Sequence, residues 1–304
     1  MQFFSHICSN RLFTNLSQLT CFLLGIAGLN YGQSIVRAEP CPEATVQNLV
    51  ADGYSFMEQG QHDRALKSFS DAIGKKTENL PARLGLAMIY ADTQKHAEAF
   101  GAFDHIVQID PDHVFAWNGR GLAAFNMGNF EEALTSFLKA TANQPINGFF
   151  YESLAWTHMC RGDFREALEN AKLATLMYNQ KGESSAYPLL IAYFSSLEAG
   201  DPKAAQRTLG YALSNKPPLN QWPHPIFDFL ADSIKAPELI SFVRDSAEET
   251  EAHTYIGLKL RSIGEFADAK AHLSWVTENG DQRVFEYTLA KALHGDRKLT
   301  AIVH

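Results

Sequence analysis

Small and aromatic residues recur along this chain with a period of 34 residues. Four alanines hold one register of the period: Ala65, Ala99, Ala133 and Ala167. Four residues after them stand Phe69, Phe103, Phe137 and Ala171. Small residues upstream keep the same phase, at Gly53, Ala87, Gly121 and Ala155. Self-similarity at a period of about 20–50 residues is typical of repeat architectures, in which each repeat is one supersecondary unit.

The residues at these positions predict two helices joined by a tight turn in each period. Small residues allow the two helices to approach closely, and the phenylalanine of the second helix fills the space toward the next unit. A turn position follows the first helix, at Gly60, Gln94, Gly128 and Gly162. Glycine suits this position because it adopts a left-handed conformation without a Cβ penalty. Pro111 and Pro145 mark the end of two units, since proline cannot continue a helix.

After residue 181 the phase shifts. A fifth unit is predicted around Gly200, Ala205 and Leu209, and a sixth around Gly257 and Ala269. Residues 220–249 lie between them and predict a degenerate helical pair. The amphipathic segment 284–293 is expected to cap the array, because a terminal repeat must cover its last apolar face.

The segment from Trp117 to Pro145, with Gly121, Gly128 and Ala133 in register, resembles a tetratricopeptide repeat. The resemblance covers residues 46–181 and implies an all-α solenoid, a right-handed superhelix of helix-turn-helix repeats. The predicted organisation is a secretory signal peptide (1–38), a five-unit array (39–219), the helical insertion (220–249), and a sixth unit with its capping helix (250–304). The C-terminal half contains Trp222-Pro-His-Pro-Ile226, Gly264-Glu-Phe266 and the segment from Trp275 to Gly280. In these segments it is similar, more loosely, to bacterial periplasmic repeat lipoproteins of the cell envelope, which implies an adaptor role.

The resemblance also implies which residues line the inner, concave face, because the first helix of each unit forms that face. These positions are offset from the packing positions and carry many large apolar side chains. They are Tyr54, Met57, Met88, Phe115, Asn118, Leu122, Phe125, Phe149, Glu152, Trp156, Met159, Tyr187 and Phe194. A contiguous exposed apolar patch marks an interaction site, so we expect a groove that binds an apolar helix or an extended segment of a partner protein.

Two other interpretations of this face remain open. The same side chains would also suit packing against the chain's own insertion, its N-terminal segment or a second copy, which makes a homodimer or assembly subunit the alternative function. They would also be explained if the assigned phase were wrong and they belonged to the core.

The first 38 residues predict a cleaved secretory signal. They contain no Asp or Glu, and their apolar run, residues 19–29, is shorter than the roughly 20 residues that cross a bilayer. A buried N-terminal helix or an uncleaved anchor is the alternative. Cys21 lies inside the apolar run, which is a poor lipid-attachment position. We therefore expect a periplasmic or secreted protein that is soluble after cleavage, with no integral membrane span. Cleavage leaves Cys41 and Cys160, which would form one disulfide or remain two thiols.

No motif in the sequence predicts an enzyme or a cofactor site. The net charge of −8 lacks the basic patch that nucleic-acid binding requires. The eleven histidines show no metal-ligand spacing. His158 and Cys160 are the best candidate nucleophile pair, but residues two apart on a helix do not face each other. The expected function is a non-catalytic scaffold that binds a protein or peptide and needs no cofactor.

Overall fold

A computed structural model describes residues 42–219 and 221–294, and these residues form fifteen α-helices and no strand. The helices are α1 (Pro42–Glu58), α2 (His62–Lys75), α3 (Leu80–Asp92), α4 (His96–Ile109), α5 (Val114–Asn126), α6 (Phe130–Asn143), α7 (Gly148–Arg161), α8 (Phe164–Lys181), α9 (Ala186–Glu198), α10 (Pro202–Asn215), α11 (His224–Leu230), α12 (Ala236–Ser241), α13 (Ser246–Ser262), α14 (Phe266–Asn279) and α15 (Phe285–His294).

The first ten helices form five successive hairpins. In each hairpin the two helices pack on each other, and the second helix packs on the first helix of the next hairpin. The first helices of neighbouring hairpins also touch, from α1 through α3, α5 and α7 to α9. These five helices therefore line one continuous face of the array, which we call the inner face. The predicted all-α solenoid of tetratricopeptide type is confirmed.

Phenylalanine rings are wedged between glycines of successive hairpins. A Cβ atom added to Gly53 would lie 2.6 Å from the ring of Phe69, and one added to Gly85 would lie 2.2 Å from the same ring. A Cβ atom added to Gly119 would lie 2.4 Å from the ring of Phe103. These rings are almost fully buried. The packing predicted from the repeat, an aromatic side chain that fills the space toward the next unit, is confirmed.

The turns inside the hairpins have the left-handed backbone that the sequence predicts. The backbone φ is +70° at Gly60, +77° at Gly128 and +81° at Gly162. Gln94 takes the same position in the second unit with φ of +58°, although it carries a Cβ atom. The turn geometry is therefore set by the repeat and is imposed on a residue that does not favour it.

The C-terminal part of the chain folds back onto the inner face. The predicted insertion contains the short helices α11 and α12, and α13 begins at Ser246, ahead of the predicted boundary at 250. The hairpin α13/α14 carries α15 on its end, as expected for a cap. In addition, α13 contacts α9, and α15 contacts α7 of the fourth hairpin. The capping helix therefore also covers part of the array's inner face.

The predicted signal peptide at residues 1–38 and Cys41 lie outside the described residues, so cleavage and the Cys41–Cys160 disulfide stay predictions. Among the helices of the described chain, none is both long and apolar enough to cross a membrane.

Candidate binding face of the helical array

All the residues predicted to line the groove lie on first helices of the hairpins. They are Tyr54 and Met57 on α1, Met88 on α3, Phe115, Asn118, Leu122 and Phe125 on α5, Phe149, Glu152, Trp156 and Met159 on α7, and Tyr187 and Phe194 on α9. Because these helices are neighbours in the array, the structure brings the predicted residues together on the inner face.

The expectation that these side chains are all exposed is wrong for the second half of the set. Trp156 is 1% exposed, Phe194 2% and Phe125 0%. The other buried members are Asn118, Leu122, Glu152 and Met159. For Phe125, Trp156 and Phe194 the physical reason is that aromatic side chains of α13 and α15 pack on them. The chain thus supplies its own cover, but the covering helices belong mainly to the predicted sixth unit and cap, and not to the insertion, the N-terminal segment or a second copy.

Phe285, the first residue of α15, sits among three aromatic side chains of the inner face. Its ring is stacked on Trp156, with 5.8 Å between ring centroids and 6° between ring planes. It meets Phe125 edge to face at 5.1 Å and Phe149 at 6.3 Å. We call Phe125, Phe149 and Trp156 the aromatic cage. Aromatic pairs in such arrangements contribute about 0.5–1.5 kcal/mol beyond their buried area, so this contact holds α15 in place.

The sequence pattern does not mark Phe285 as a site residue. The segment 284–293 is amphipathic, which predicts a cap, but amphipathicity alone does not say which surface a helix covers. The contact with Trp156 joins positions far apart in the chain, and no repeat spacing connects them.

A second contact seats α13 on α9. The ring of Phe194 is stacked on Tyr255, with 5.8 Å between centroids. The hydroxyl of Tyr187 donates a hydrogen bond of 3.0 Å to Glu251. Trp222, in the predicted insertion, donates its indole N–H to the same carboxyl at 2.7 Å. The insertion therefore helps to hold α13 on the inner face.

Three carboxyl groups are buried at this seam: Glu152 on α7, Glu251 on α13 and Glu286 on α15. Glu152 accepts a hydrogen bond of 2.7 Å from Tyr178, and Glu286 accepts one of 2.7 Å from Tyr255. The hydrogen bonds that these carboxyls accept from side chains of the described chain come from tyrosine and tryptophan, with none from lysine or arginine. We call the three glutamates the carboxyl cluster.

Burial shifts the protonation of the carboxyl cluster toward the neutral form. Loss of solvent raises the pKa of Glu152 from 4.5 to about 7, and it raises the pKa of Glu286 to about 7. Burial, together with the charge of Glu286, raises the pKa of Glu251 well above its ordinary value. Uncharged carboxyls at this seam avoid the desolvation cost and the mutual repulsion of buried anions.

The first half of the predicted set is only half-buried: Tyr54, Met57, Met88 and Phe115. Tyr54 donates a hydrogen bond of 2.8 Å to the Pro81 carbonyl, and burial raises the pKa of its hydroxyl to about 12. The ring of Tyr54 lies 5.0 Å from Phe69, and these contacts fix its orientation. This half of the inner face therefore presents half-buried apolar side chains, among which Tyr54 is held in place.

The residues considered for catalysis do not form an activated pair. The half-buried thiol of Cys160 has its pKa raised by burial and by the nearby Glu286, which keeps it protonated and a poor nucleophile. The imidazole of His158 is directed at Asp163 on the adjoining turn, with 3.4 Å between Nδ1 and the carboxylate oxygen. Within 42–219 and 221–294, no group of three or more His, Cys, Asp or Glu side chains is arranged to hold a metal ion.

Comparisons with known proteins agree with the repeat architecture. Two family models, each described as a tetratricopeptide repeat, match residues 56–118 and 114–147. No curated protein matches the chain in sequence.

Solved structures share the fold at low sequence identity. A tetratricopeptide repeat protein from Parabacteroides merdae ATCC 43184 is 14% identical, with a TM-score of 0.60 over 82% of this chain and 98% of that one. The MamA protein is 17% identical, with a TM-score of 0.55 over 57% of this chain and 93% of MamA. The repeat matches and the stacked hairpins show that residues 56–147 are tetratricopeptide repeats within a longer array of the same fold.

Proposed function

We propose that this protein is a non-catalytic scaffold of the cell envelope that binds a segment of a partner protein on its inner face. The observation that carries the proposal is that the inner face already holds a helix, α15, by inserting one aromatic side chain into the aromatic cage. A face that accommodates an amphipathic helix in this way has the shape and chemistry of a helix-binding groove.

The half-buried part of the inner face, formed by α1, α3 and the start of α5, is the proposed docking surface. Methionine and aromatic side chains are enriched at protein interfaces, and Met57 and Met88 are placed there on neighbouring helices. Met side chains adapt to the partner's shape because they are unbranched and flexible.

The location in the envelope rests on the sequence of residues 1–38, which has the apolar run and the basic flank of a secretory signal. Fractionation of cells that express the full chain, with N-terminal sequencing of the mature protein, tests this part. A mature N-terminus near residue 39 in the envelope fraction supports it, whereas an intact Met1 in the cytoplasm overturns it.

Crosslinked affinity capture from source-cell extract tests the binding role. The wild-type chain is compared with a Met57→Ala/Met88→Ala variant, and a Leu138→Ala/Leu173→Ala variant is the matched control, since these leucines are exposed on second helices. We expect the inner-face variant to lose a partner that the wild type and the control retain. Equal capture by all three chains would contradict the proposed surface.

A second candidate is a self-associating subunit, because the inner face accepts a segment of this same sequence. Sedimentation velocity over a wide concentration range separates the two. If the mass of the wild-type chain doubles as its concentration rises, and the mass of the Met57→Ala/Met88→Ala variant does not, self-association through the inner face is favoured. A constant monomer mass favours a different partner.

A further inference from the structure

We propose that α15 is an exchangeable occupant of the inner face, and that the aromatic cage accepts in its place a partner helix with an aromatic residue followed by Glu or Gln. This inference deepens the proposed function by naming the partner chemistry, and it rests on that function.

The aromatic cage and the carboxyl cluster together define what the occupant must carry. Phe285 fills the space between Phe125, Phe149 and Trp156. The next residue, Glu286, accepts a hydrogen bond from the hydroxyl of Tyr255, with 2.7 Å between the two oxygens. An occupant that lacks the aromatic ring leaves the cage empty, and one that lacks the acceptor leaves a buried hydroxyl unpaired, which is costly. Glutamine provides the acceptor as well as glutamate does.

The attachment of α15 allows it to leave without dismantling the array. It is the last helix of the described chain, and the segment before it is pinned to α13. The backbone N–H of Asp281 donates to Thr250 at 2.7 Å, and Ser246 donates to the Asp281 carboxyl at 3.2 Å. Rotation of the chain after Asp281 would therefore release α15 while the hairpin α13/α14 stays in place.

The carboxyl cluster weakens the closed arrangement. Docking of α15 places Glu286 beside Glu251 and Glu152, and the side-chain donors to these groups are uncharged. Burial raises the pKa of Glu286, so part of the binding free energy is lost at neutral pH, where the unfolded or released helix would ionise freely. Phe285 itself remains only half-buried, although it occupies the cage. A partner helix with glutamine at the second position would avoid this cost.

Hydrogen exchange of the full wild-type chain at neutral pH tests whether α15 opens. We expect the amides of residues 289–293 to exchange at least tenfold faster than the slowest amides of α5 to α8, after correction for intrinsic rates. Equal protection would mean that α15 leaves only when the whole array unfolds, and would overturn the proposal.

Binding in trans tests what the cage accepts. The probe is a fluorescein-labelled peptide with the sequence of residues 281–294, titrated against the full chain carrying Phe285→Asp, which places a charge in the aromatic cage. We expect at least tenfold tighter binding than to the wild type, loss of binding when the peptide carries Phe285→Ala, and retention when it carries Glu286→Gln. A Lys291→Ala chain, altered at an exposed position of α15, should behave as the wild type.

Absence of peptide binding to a folded Phe285→Asp chain would overturn the proposed specificity. If that variant does not fold, the exchange measurement on the wild-type chain decides alone. Failure of the peptide test is distinguishable from failure of the binding role. Capture depends on Met57 and Met88, which lie on α1 and α3, whereas the peptide test concerns the aromatic cage on α5 and α7.

Discussion

Glycine and phenylalanine positions set the spacing of the hairpins, and their roles differ from one glycine to the next. Gly85 and Gly119 lie against rings of the preceding hairpin, where a Cβ atom would meet the ring at 2.2 Å and 2.4 Å. At Gly101, in the middle of α4, an added Cβ would meet nothing within 4 Å beyond the backbone of its own helix. The same substitution at these positions should therefore have opposite effects.

We expect Gly119→Ala to lower the free energy of unfolding by about 1–3 kcal/mol, because the ring of Phe103 must move in a packed core. Gly101→Ala, in the adjoining helix, should raise it by about 0.5–1 kcal/mol through helix propensity. Urea unfolding followed by circular dichroism measures both. Similar destabilisation by the two alanines would contradict the wedge packing.

Gln94 is the one residue of the predicted turn register that is not glycine. Its φ of +58° is strained for a residue with a Cβ atom. Gln94→Gly should raise the free energy of unfolding by about 0.5 kcal/mol, the relief of strain less the added freedom of the unfolded chain. Gly128→Ala, at the same position of the next hairpin, should lower it by about 1 kcal/mol. A loss of stability in Gln94→Gly would show that the glutamine side chain contributes to the turn.

At the scale of elements, the sequence predicts what is local and repeated. The hairpins follow from Ala65, Phe69 and their equivalents, because each unit contacts its neighbours through the same positions. The return of α13 and α15 onto the inner face could not be predicted in this way. It depends on single contacts, such as Phe285 with Trp156, that have no repeat spacing.

The carboxyl cluster was equally hidden in the sequence. Glu286 stands in an amphipathic helix and Glu251 in a helix rich in charged residues, and a charged helical residue ordinarily indicates the solvent side. Only the folded chain brings them beside Glu152, with Tyr187 and Tyr255 as donors. The repeat pattern predicts that the groove residues lie on the inner face. It does not predict that the chain's own helices bury part of them.

The seating of α15 should depend on pH in a direction fixed by Glu286. Its pKa is raised from 4.5 to about 7 in the folded chain, so the folded state holds a proton that the unfolded state releases. Stability from this group is therefore fully present below the ordinary pKa, is lost as pH rises through about 7, and then levels off. The Glu286 carboxyl faces titratable side chains of two other helices. They are Tyr255 and Glu251 on α13, and Glu152 and Cys160 on α7.

We expect Glu286→Gln to gain stability relative to the wild type as pH rises from about 5 to about 8, by about 1–3 kcal/mol. Urea unfolding across this range measures the difference, and titration of groups outside the carboxyl cluster largely cancels in it. Glu278→Gln, at an exposed position of α14, is the matched control and should show no trend. Parallel curves for wild type and Glu286→Gln would contradict the buried site.

For the whole molecule, the structure divides the inner face into two parts. The part formed by α7, α9 and the end of α5 is covered by the chain itself, and the part formed by α1, α3 and the start of α5 is half-buried. A partner that docks on the second part would lie on the same face as α15. Binding at the two parts is then coupled, because release of α15 would lengthen the available groove.

The most direct test of the binding role is site-specific photo-crosslinking in cells that express the full chain. A benzoyl-phenylalanine is placed at Met88 on the inner face and, in a separate chain, at Leu138, which is 58% exposed on a second helix. We expect a defined adduct with another protein from position 88 and none from position 138. An adduct from position 138 alone, or the same adducts from both positions, would contradict the inner face as the docking surface.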